Sequence, residues 1–188
     1  MEGKCIILCA PSGAGKTSIT KYLLQQELGL QFSISACNRE PRKGETDGVD
    51  YHFLSTQTFK NRIENDEFVE WEEVYNDNYY GTLKSEINRI WEDGNSVIFD
   101  VDVEGGLSLT KHFGEKALAI FIKPPSFEAL EKRLRGRGTE TEEKIQNRLA
   151  KAEKEMGYSK WFDYIIVNEE LATAQQEVFS LVKSFLKK

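Results

Sequence analysis

The stretch "KCIILCAPSGAGKTSITKYLL", residues 4–24, constrains the fold more than any other part of the chain. A short, almost wholly apolar run meets a glycine-rich loop, and after the loop Ile19, Tyr22, Leu23 and Leu28 recur at roughly helical spacing. Strand, loop and helix in that order turn backbone N–H groups and a helix N-terminus toward one point, which suits an anion. The loop is almost GxxxxGK[ST], with Ala10 where the first glycine would stand. Gly13 and Gly15 supply positive φ or close backbone approach, Lys16 an ammonium for the outer phosphates, Thr17 a hydroxyl for Mg2+, and Ser18 a further donor. Pro11, Ser12 and Ala14 complete the loop, and Ala10 fits at the strand exit if its φ stays negative. The segment therefore reads as a nucleoside triphosphate site, a property that switches, motors and small-molecule kinases share.

Further apolar runs occur at "SVIFDVDV" (96–103), "ALAIFIKPP" (117–125) and "DYIIVN" (163–168), with a candidate helix between each and the next. Runs that are apolar throughout, not alternating, predict central strands of a parallel sheet covered on both faces, hence an α/β fold. Leu171, Ala174, Val178, Leu181, Val182 and Phe185 form the apolar stripe of a last helix that packs on the sheet. Ser126 is the expected N-cap of a helix after two prolines, and Thr139 with Glu142 has capping-box form for the next, with "RGRG" between them as an arginine-bearing hinge. Residues 33–83 break the alternation, and "YHF", "EFVEWEEVY" and "NYYGT" predict an insertion containing short mixed strands. Trp71, Trp91 and Trp161 are expected to be core or packing residues, and His52 and His112 match no metal spacing.

Charge narrows the partners. The net charge of -6 argues against a chain that works on nucleic acid or on an anionic membrane. Of eight arginines, Arg39 and Arg42 sit together, and Arg133, Arg135, Arg137 and Arg148 fall within sixteen residues, as a local anion site requires. Two such clusters beside a phosphate loop favour a kinase, because phosphoryl transfer between polyanions needs charge cancelled on both sides of the moving group. Cys5, Cys9 and Cys37 show no CxxC spacing and read as buried reduced thiols, suiting the cytoplasm. The opening apolar run is too short for a signal sequence or a membrane span.

The segments "FSISACNREPRKGETDGVDYHF", "EFVEWEEVYNDNYYGT" and "FDVDVEG", followed by "RLRGRGTETEEKIQNRL" and "VNEEL", resemble guanylate kinase, the family that phosphorylates GMP with ATP and Mg2+. The likeness covers nearly the whole chain. It implies that Arg39, Arg42, Tyr51 and Tyr80 grip the GMP phosphate, and that Ser35, Glu70, Thr82 and Asp100 surround guanine. It implies that Arg133, Arg137 and Arg148 clamp the transferring group, with Arg39 and Lys16 also catalytic, and that Asn168 lies near adenine. Asp102 is the candidate for the water shell of Mg2+, although sequence leaves open which of Asp100 and Asp102 serves the metal and which the base. The implied architecture is one domain: a core of 1–32, 92–134 and 158–188, a mixed α+β GMP-binding insertion at 33–91, and a short helical lid at 135–157.

Independent chemistry supports these roles. Guanine presents N1–H and its 2-amino group side by side, so one ionised carboxylate accepts both, and Glu70 between Val69 and Trp71 is such a group. The chain departs from the family pattern at Ala10, in "ACNR" where two threonines commonly precede the first arginine, in a longer "NDNYYG" turn, and in "NEE" for "NDD". Two other activities share parts of the pattern. Non-catalytic guanylate-kinase-like modules bind phosphopeptides without the phosphate loop, against which intact Lys16 and Thr17 argue; related kinases act on sugar phosphates, against which Glu70 argues.

Overall fold

The computed structural model describes residues 3–75, 77–136 and 141–187. In chain order the first elements are β1 (Cys5–Cys9), α1 (Lys16–Leu24), β2 (Leu30–Phe32), β3 (Ala36–Cys37), β4 (His52–Phe53), α2 (Thr56–Glu64), β5 (Phe68–Tyr75) and β6 (Asn78–Leu83). There follow α3 (Lys84–Glu92), β7 (Ser96–Val101), α4 (Val103–Phe113), β8 (Ala117–Lys123), α5 (Phe127–Arg135), α6 (Glu142–Gly157), β9 (Tyr164–Val167) and α7 (Leu171–Leu186).

Five strands form a parallel sheet in the order β2-β7-β1-β8-β9. Side chains on its strands alternate between two apolar layers. Ile6, Leu8, Ile98, Ile120 and Ile122 meet Ile19 and Leu23 of α1 and Ala174, Val178 and Val182 of α7. Cys5, Ile7, Cys9, Val97, Phe99, Ala119 and Phe121 meet Ile87 and Ile90 of α3 and Val103 and Leu109 of α4. Both faces of the central strands are thus covered, as their unbroken apolar runs require. Each fully buried Val, Leu or Ile contributes about 1.5–3 kcal/mol by leaving water.

The second sheet, in the order β4-β3-β6-β5, lies entirely within residues 36–83 and mixes parallel and antiparallel pairs. It has its own small core, in which Phe59 of α2 stacks on Phe68 at 4.4 Å and on Tyr79 at 5.6 Å between ring centres. Helices α5 and α6 pack on each other through Leu130, Leu134, Ile145, Leu149 and Ala152. Ser126 caps α5, as the sequence predicts. Helix α6 is capped by Thr141, whose side chain accepts from the Lys144 N–H; the predicted Thr139 lies outside the described residues.

One strand escapes the sequence pattern, and the expectations for β9 and the tryptophans need correction. Strand β2 pairs with β7 although Leu30–Phe32 gives too brief a run to stand out in sequence. Strand β9 is a sheet edge, where Tyr164, Ile165 and Val167 are each about half exposed, so its apolar run is not covered on both faces. Trp71 and Trp161 lie at the surface, and only Trp91 is partly buried, against Phe113. The three cysteines are buried free thiols, and burial pushes Cys5 and Cys9 up to about 12. Among the described residues no helix is long and apolar enough to cross a membrane.

Candidate active site

The loop after β1 has the geometry that its glycines imply. Gly13 and Gly15 adopt φ of 94° and 98°, in the region that side chains rarely enter. A Cβ on Gly15 would also stand 2.3 Å from the Asn168 amide nitrogen, and one on Gly13 would press on Leu130 and Leu134 of α5. Ala10 is buried at the strand exit and is not among the positive-φ residues, so the missing glycine costs no strain. The Ala14 N–H donates to the Pro11 carbonyl, closing the turn, and α1 starts at Lys16 with Thr17 and Ser18 exposed at its first turn.

Lys16 is aimed at the C-terminal end of β7, the neighbour of β1. Its ammonium lies 2.7 Å from Asp100 and also donates to the Val101 carbonyl. Thr17 donates to the other Asp100 oxygen at 3.4 Å. Asp102, two residues on, caps α4 by accepting from the Gly105 N–H and pairs with Lys151 of α6 at 3.3 Å. The two aspartates therefore divide: Asp100 keeps company with the loop, whereas Asp102 faces α4 and α6. Beside Asp102, Arg148 of α6 donates to the Ser12 hydroxyl. Ala10, Pro11, Ser12, Gly13, Gly15 and Lys16–Ser18 line a cavity of about 320 Å3 with Asp102, Arg148, Lys151 and Glu155.

A second cavity of about 320 Å3 opens between the two sheets and shares Asp102 with the first. Ser35, Tyr51, Glu70, Glu72, Tyr80, Asp100 and Gly105 contribute to its wall. Glu70 accepts from the Thr82 hydroxyl at 2.6 Å. Thr82 is fully buried, so its hydroxyl serves Glu70. Burial raises the Glu70 carboxyl, the Thr82 hydrogen bond opposes that rise, and Asp102 adds to it. Glu70 Oε2 and Asp102 Oδ1 both lie 3.4 Å from where a Cβ on Gly105 would sit, so the two carboxylates approach the same point of the α4 backbone.

Tyr51 and Tyr80 meet edge to face at 6.0 Å at the other end of that cavity. Arg39 lies over the Tyr51 ring at 4.8 Å and donates to the Tyr80 hydroxyl at 3.1 Å. Its two-pronged fork is held by Glu45 at 2.6 and 2.7 Å, and Glu45 also accepts from the Arg42 N–H. That pairing holds the Glu45 carboxyl far below its usual range, at about 2. Arg42 is exposed.

Arg133 and Asn168 sit beneath the loop. Arg133 donates to the Asn168 carbonyl at 2.8 Å, and the Asn168 amide donates to the Ala14 carbonyl at 2.7 Å. Asn168 is 3% exposed, with its side-chain oxygen unpaired, and so it braces the loop from below. Arg137 lies outside the described residues. The structure thus gathers Lys16, Thr17 and Arg148 at one cavity and Ser35, Tyr51, Glu70, Tyr80 and Asp100 at the next, with Asp102 common to both and Asp100 tied back to the loop through Lys16 and Thr17.

The family model for guanylate kinase matches residues 2–185. The chain belongs to the guanylate kinase family. It is 53% identical to the guanylate kinase of Bacteroides thetaiotaomicron over all of this chain and 92% of that one. It is 52% identical to the guanylate kinase of Porphyromonas gingivalis over 98% of this chain and 99% of that one. The crystal structure of guanylate kinase from Anaplasma phagocytophilum superposes with a TM-score of 0.78 at 28% identity, covering 99% of this chain and 87% of that one. The fold is accordingly that of a P-loop NTPase, with a parallel sheet between helices and a mixed second sheet.

Four residues of this guanylate-kinase-family site escape the sequence reading: Glu45, Glu72, Lys151 and Glu155. Lys151 and Glu155 follow Arg148 at i+3 and i+7, the spacing of one helix face, and Glu72 follows Glu70 at i+2, one strand face. Those spacings could have found them. Nothing local marks Glu45, six residues beyond Arg39 in an irregular loop. Among the described residues no cluster of three or more His, Cys, Asp or Glu could hold a metal.

Proposed function

We propose that this chain is a guanylate kinase in the enzymatic sense: it transfers the γ-phosphoryl group of ATP to GMP, giving ADP and GDP. The observation that carries the reading is the pair of cavities that meet at Asp102, one ringed by a phosphate loop and cations, the other running from a buried carboxylate to two tyrosines and an arginine. A non-catalytic phosphopeptide module has no use for the first cavity, and a sugar-phosphate kinase has no use for a buried Glu70.

In this reading the loop N–H groups and Lys16 take the ATP phosphates, and phosphate oxygens replace Asp100 beside the Lys16 ammonium. The hard oxygens of Thr17 and Asp100 stand 3.4 Å apart beside the loop, the donor chemistry that suits a metal held chiefly by phosphates and water. Thr17 would hold Mg2+ directly and Asp100 through its water shell, supplying charge neutralisation at the β- and γ-oxygens. Asp102, beside Glu70, then belongs with guanine, the reverse of the order in which the sequence reading paired the two.

Glu70 accepts guanine N1–H and the 2-amino group, and the Thr82 hydrogen bond favours its ionised form against the effect of burial. Ser35 completes the base pocket. Arg39, Arg42, Tyr51 and Tyr80 hold the GMP phosphate, two cations supplying charge and two phenols supplying direction. A GMP phosphate oxygen attacks the γ-phosphorus in line, and the bond from that phosphorus to the bridging oxygen of ADP breaks. Arg148, with Arg133 and Arg137, offsets charge on the moving group, so rate comes from positioning and electrostatics. Residues 33–91 serve as the GMP-binding region, and 135–157 as the lid that excludes water. The reaction is assigned to the cytoplasm, in keeping with three buried thiols that form no disulfide. The test is a coupled ADP-release assay across GMP, AMP, UMP, CMP and ribose phosphates: GMP alone should be turned over efficiently, and equal turnover of another acceptor would overturn the assignment.

A further inference from the structure

We propose that Glu72 reads the sugar of the acceptor nucleotide, accepting a hydrogen bond from a ribose hydroxyl and so selecting ribonucleotide over deoxyribonucleotide; the inference rests on the GMP reading above. Residues i and i+2 of a strand share a face, so Glu70 and Glu72 both look into the acceptor cavity, and both line it. Across the antiparallel pair, Glu70 is in register with Thr82, and Glu72 with Tyr80.

Those two rows mark different parts of a bound mononucleotide. The Glu70 row holds the buried carboxylate and the hydroxyl that orients it. The Glu72 row holds Tyr80, which is tied to Arg39 and packs on Tyr51 at the phosphate end. Two residues along a strand span roughly 7 Å, about the distance from base to sugar in a nucleotide. A ligand with its base at Glu70 and its phosphate at the tyrosines and Arg39 lays its ribose between them, along the stretch of wall to which Glu72 contributes.

The chemistry of this wall also selects a neutral donor. Glu72 faces Asp102 and Glu104 at the start of α4, and Lys151 of α6 is the cation opposing them. A wall rich in acceptors repels phosphate and suits O–H groups. Burial, Asp102 and Glu104 push the Glu72 carboxyl up to about 7. A carboxyl set among carboxylates costs the empty fold stability, and a sugar hydroxyl that donates to it offsets that cost in the complex.

The test compares GMP, 2′-deoxy-GMP, 3′-deoxy-GMP and AMP as acceptors for the wild type, Glu72→Gln and Glu72→Ala. Wild type should favour GMP over at least one deoxy analogue by about 10-fold or more in kcat/KM, the scale of a hydrogen bond to a charged group. In Glu72→Ala that ratio should fall to within about 3-fold, because GMP drops toward its analogue, while Glu72→Gln keeps part of the preference through its amide oxygen. The GMP:AMP ratio, read at Glu70, should move far less. A preference that survives Glu72→Ala, no preference in the wild type, or GMP and both analogues falling together would each overturn the proposal. A wild type that phosphorylates no GMP at all would overturn the kinase reading and this inference with it.

Discussion

Replacing Thr82 by Val isolates one hydrogen bond at the centre of the base pocket. Valine nearly matches threonine in shape, so the fully buried site is refilled, but the 2.6 Å donor to Glu70 is lost. Burial and Asp102 already raise the Glu70 carboxyl, and the Thr82 hydroxyl is the largest influence opposing them. Without it the ionised form that accepts the two guanine donors becomes less favoured. A hydrogen bond to a charged group is worth about 1.5–3 kcal/mol, or roughly 10- to 150-fold in a binding or rate ratio. The kcat/KM for GMP in Thr82→Val should fall by that range at pH 7, and its acid limb should move to higher pH. The KM for ATP, set at the other cavity, should hold. Steady-state kinetics from pH 5 to 8, with thermal melts to check folding, provide the readout. An acid limb that stays in place, with kcat/KM for GMP within about 3-fold of wild type, would refute the reasoning.

Lys16→Ala should leave the protein folded in thermal melts, because the side chain lines the cavity and is in neither of the apolar layers of the sheet, but should lower turnover by about 100-fold or more in the coupled assay. Arg148→Ala should lower kcat far more than it raises the KM for GMP, whereas Arg42→Ala should chiefly raise that KM; matching kinetic profiles would show that the two clusters do one job. Glu72→Gln should stabilise the empty protein increasingly as pH rises. The folded Glu72 carboxyl sits at about 7, above its ordinary value near 4.5, so its contribution to stability is full below that ordinary value and is lost as pH climbs through about 7. The melting-temperature gap between variant and wild type should therefore open between pH 5 and pH 8.

Local pattern made the core of this fold legible. The unbroken apolar runs of β1, β7 and β8 could only be buried on both faces, and Gly13, Gly15, Lys16 and Thr17 follow from the demands of a phosphate loop. Strand β2 escaped because three half-buried residues carry no period. The exposure of Trp71 and Trp161 escaped because ring size says nothing about which side of an edge strand or short turn a residue takes. Asp100 and Asp102 were found as a pair, but the strand ends at Val101, so Asp102 turns into a helix cap while Asp100 stays beside Lys16. The partnership of Arg39 with Glu45 depends on the path of an irregular loop, which no periodicity encodes.

The central claim is that two cavities joined at Asp102 pass a phosphoryl group from ATP to GMP without losing it to water. Chromatographic mass balance on a reaction started with equal ATP and GMP tests this most directly, with GDP, ADP and inorganic phosphate measured in one sample. The account predicts one GDP for every ADP, with phosphate release a minor fraction. ADP accompanied by inorganic phosphate in place of GDP would contradict it.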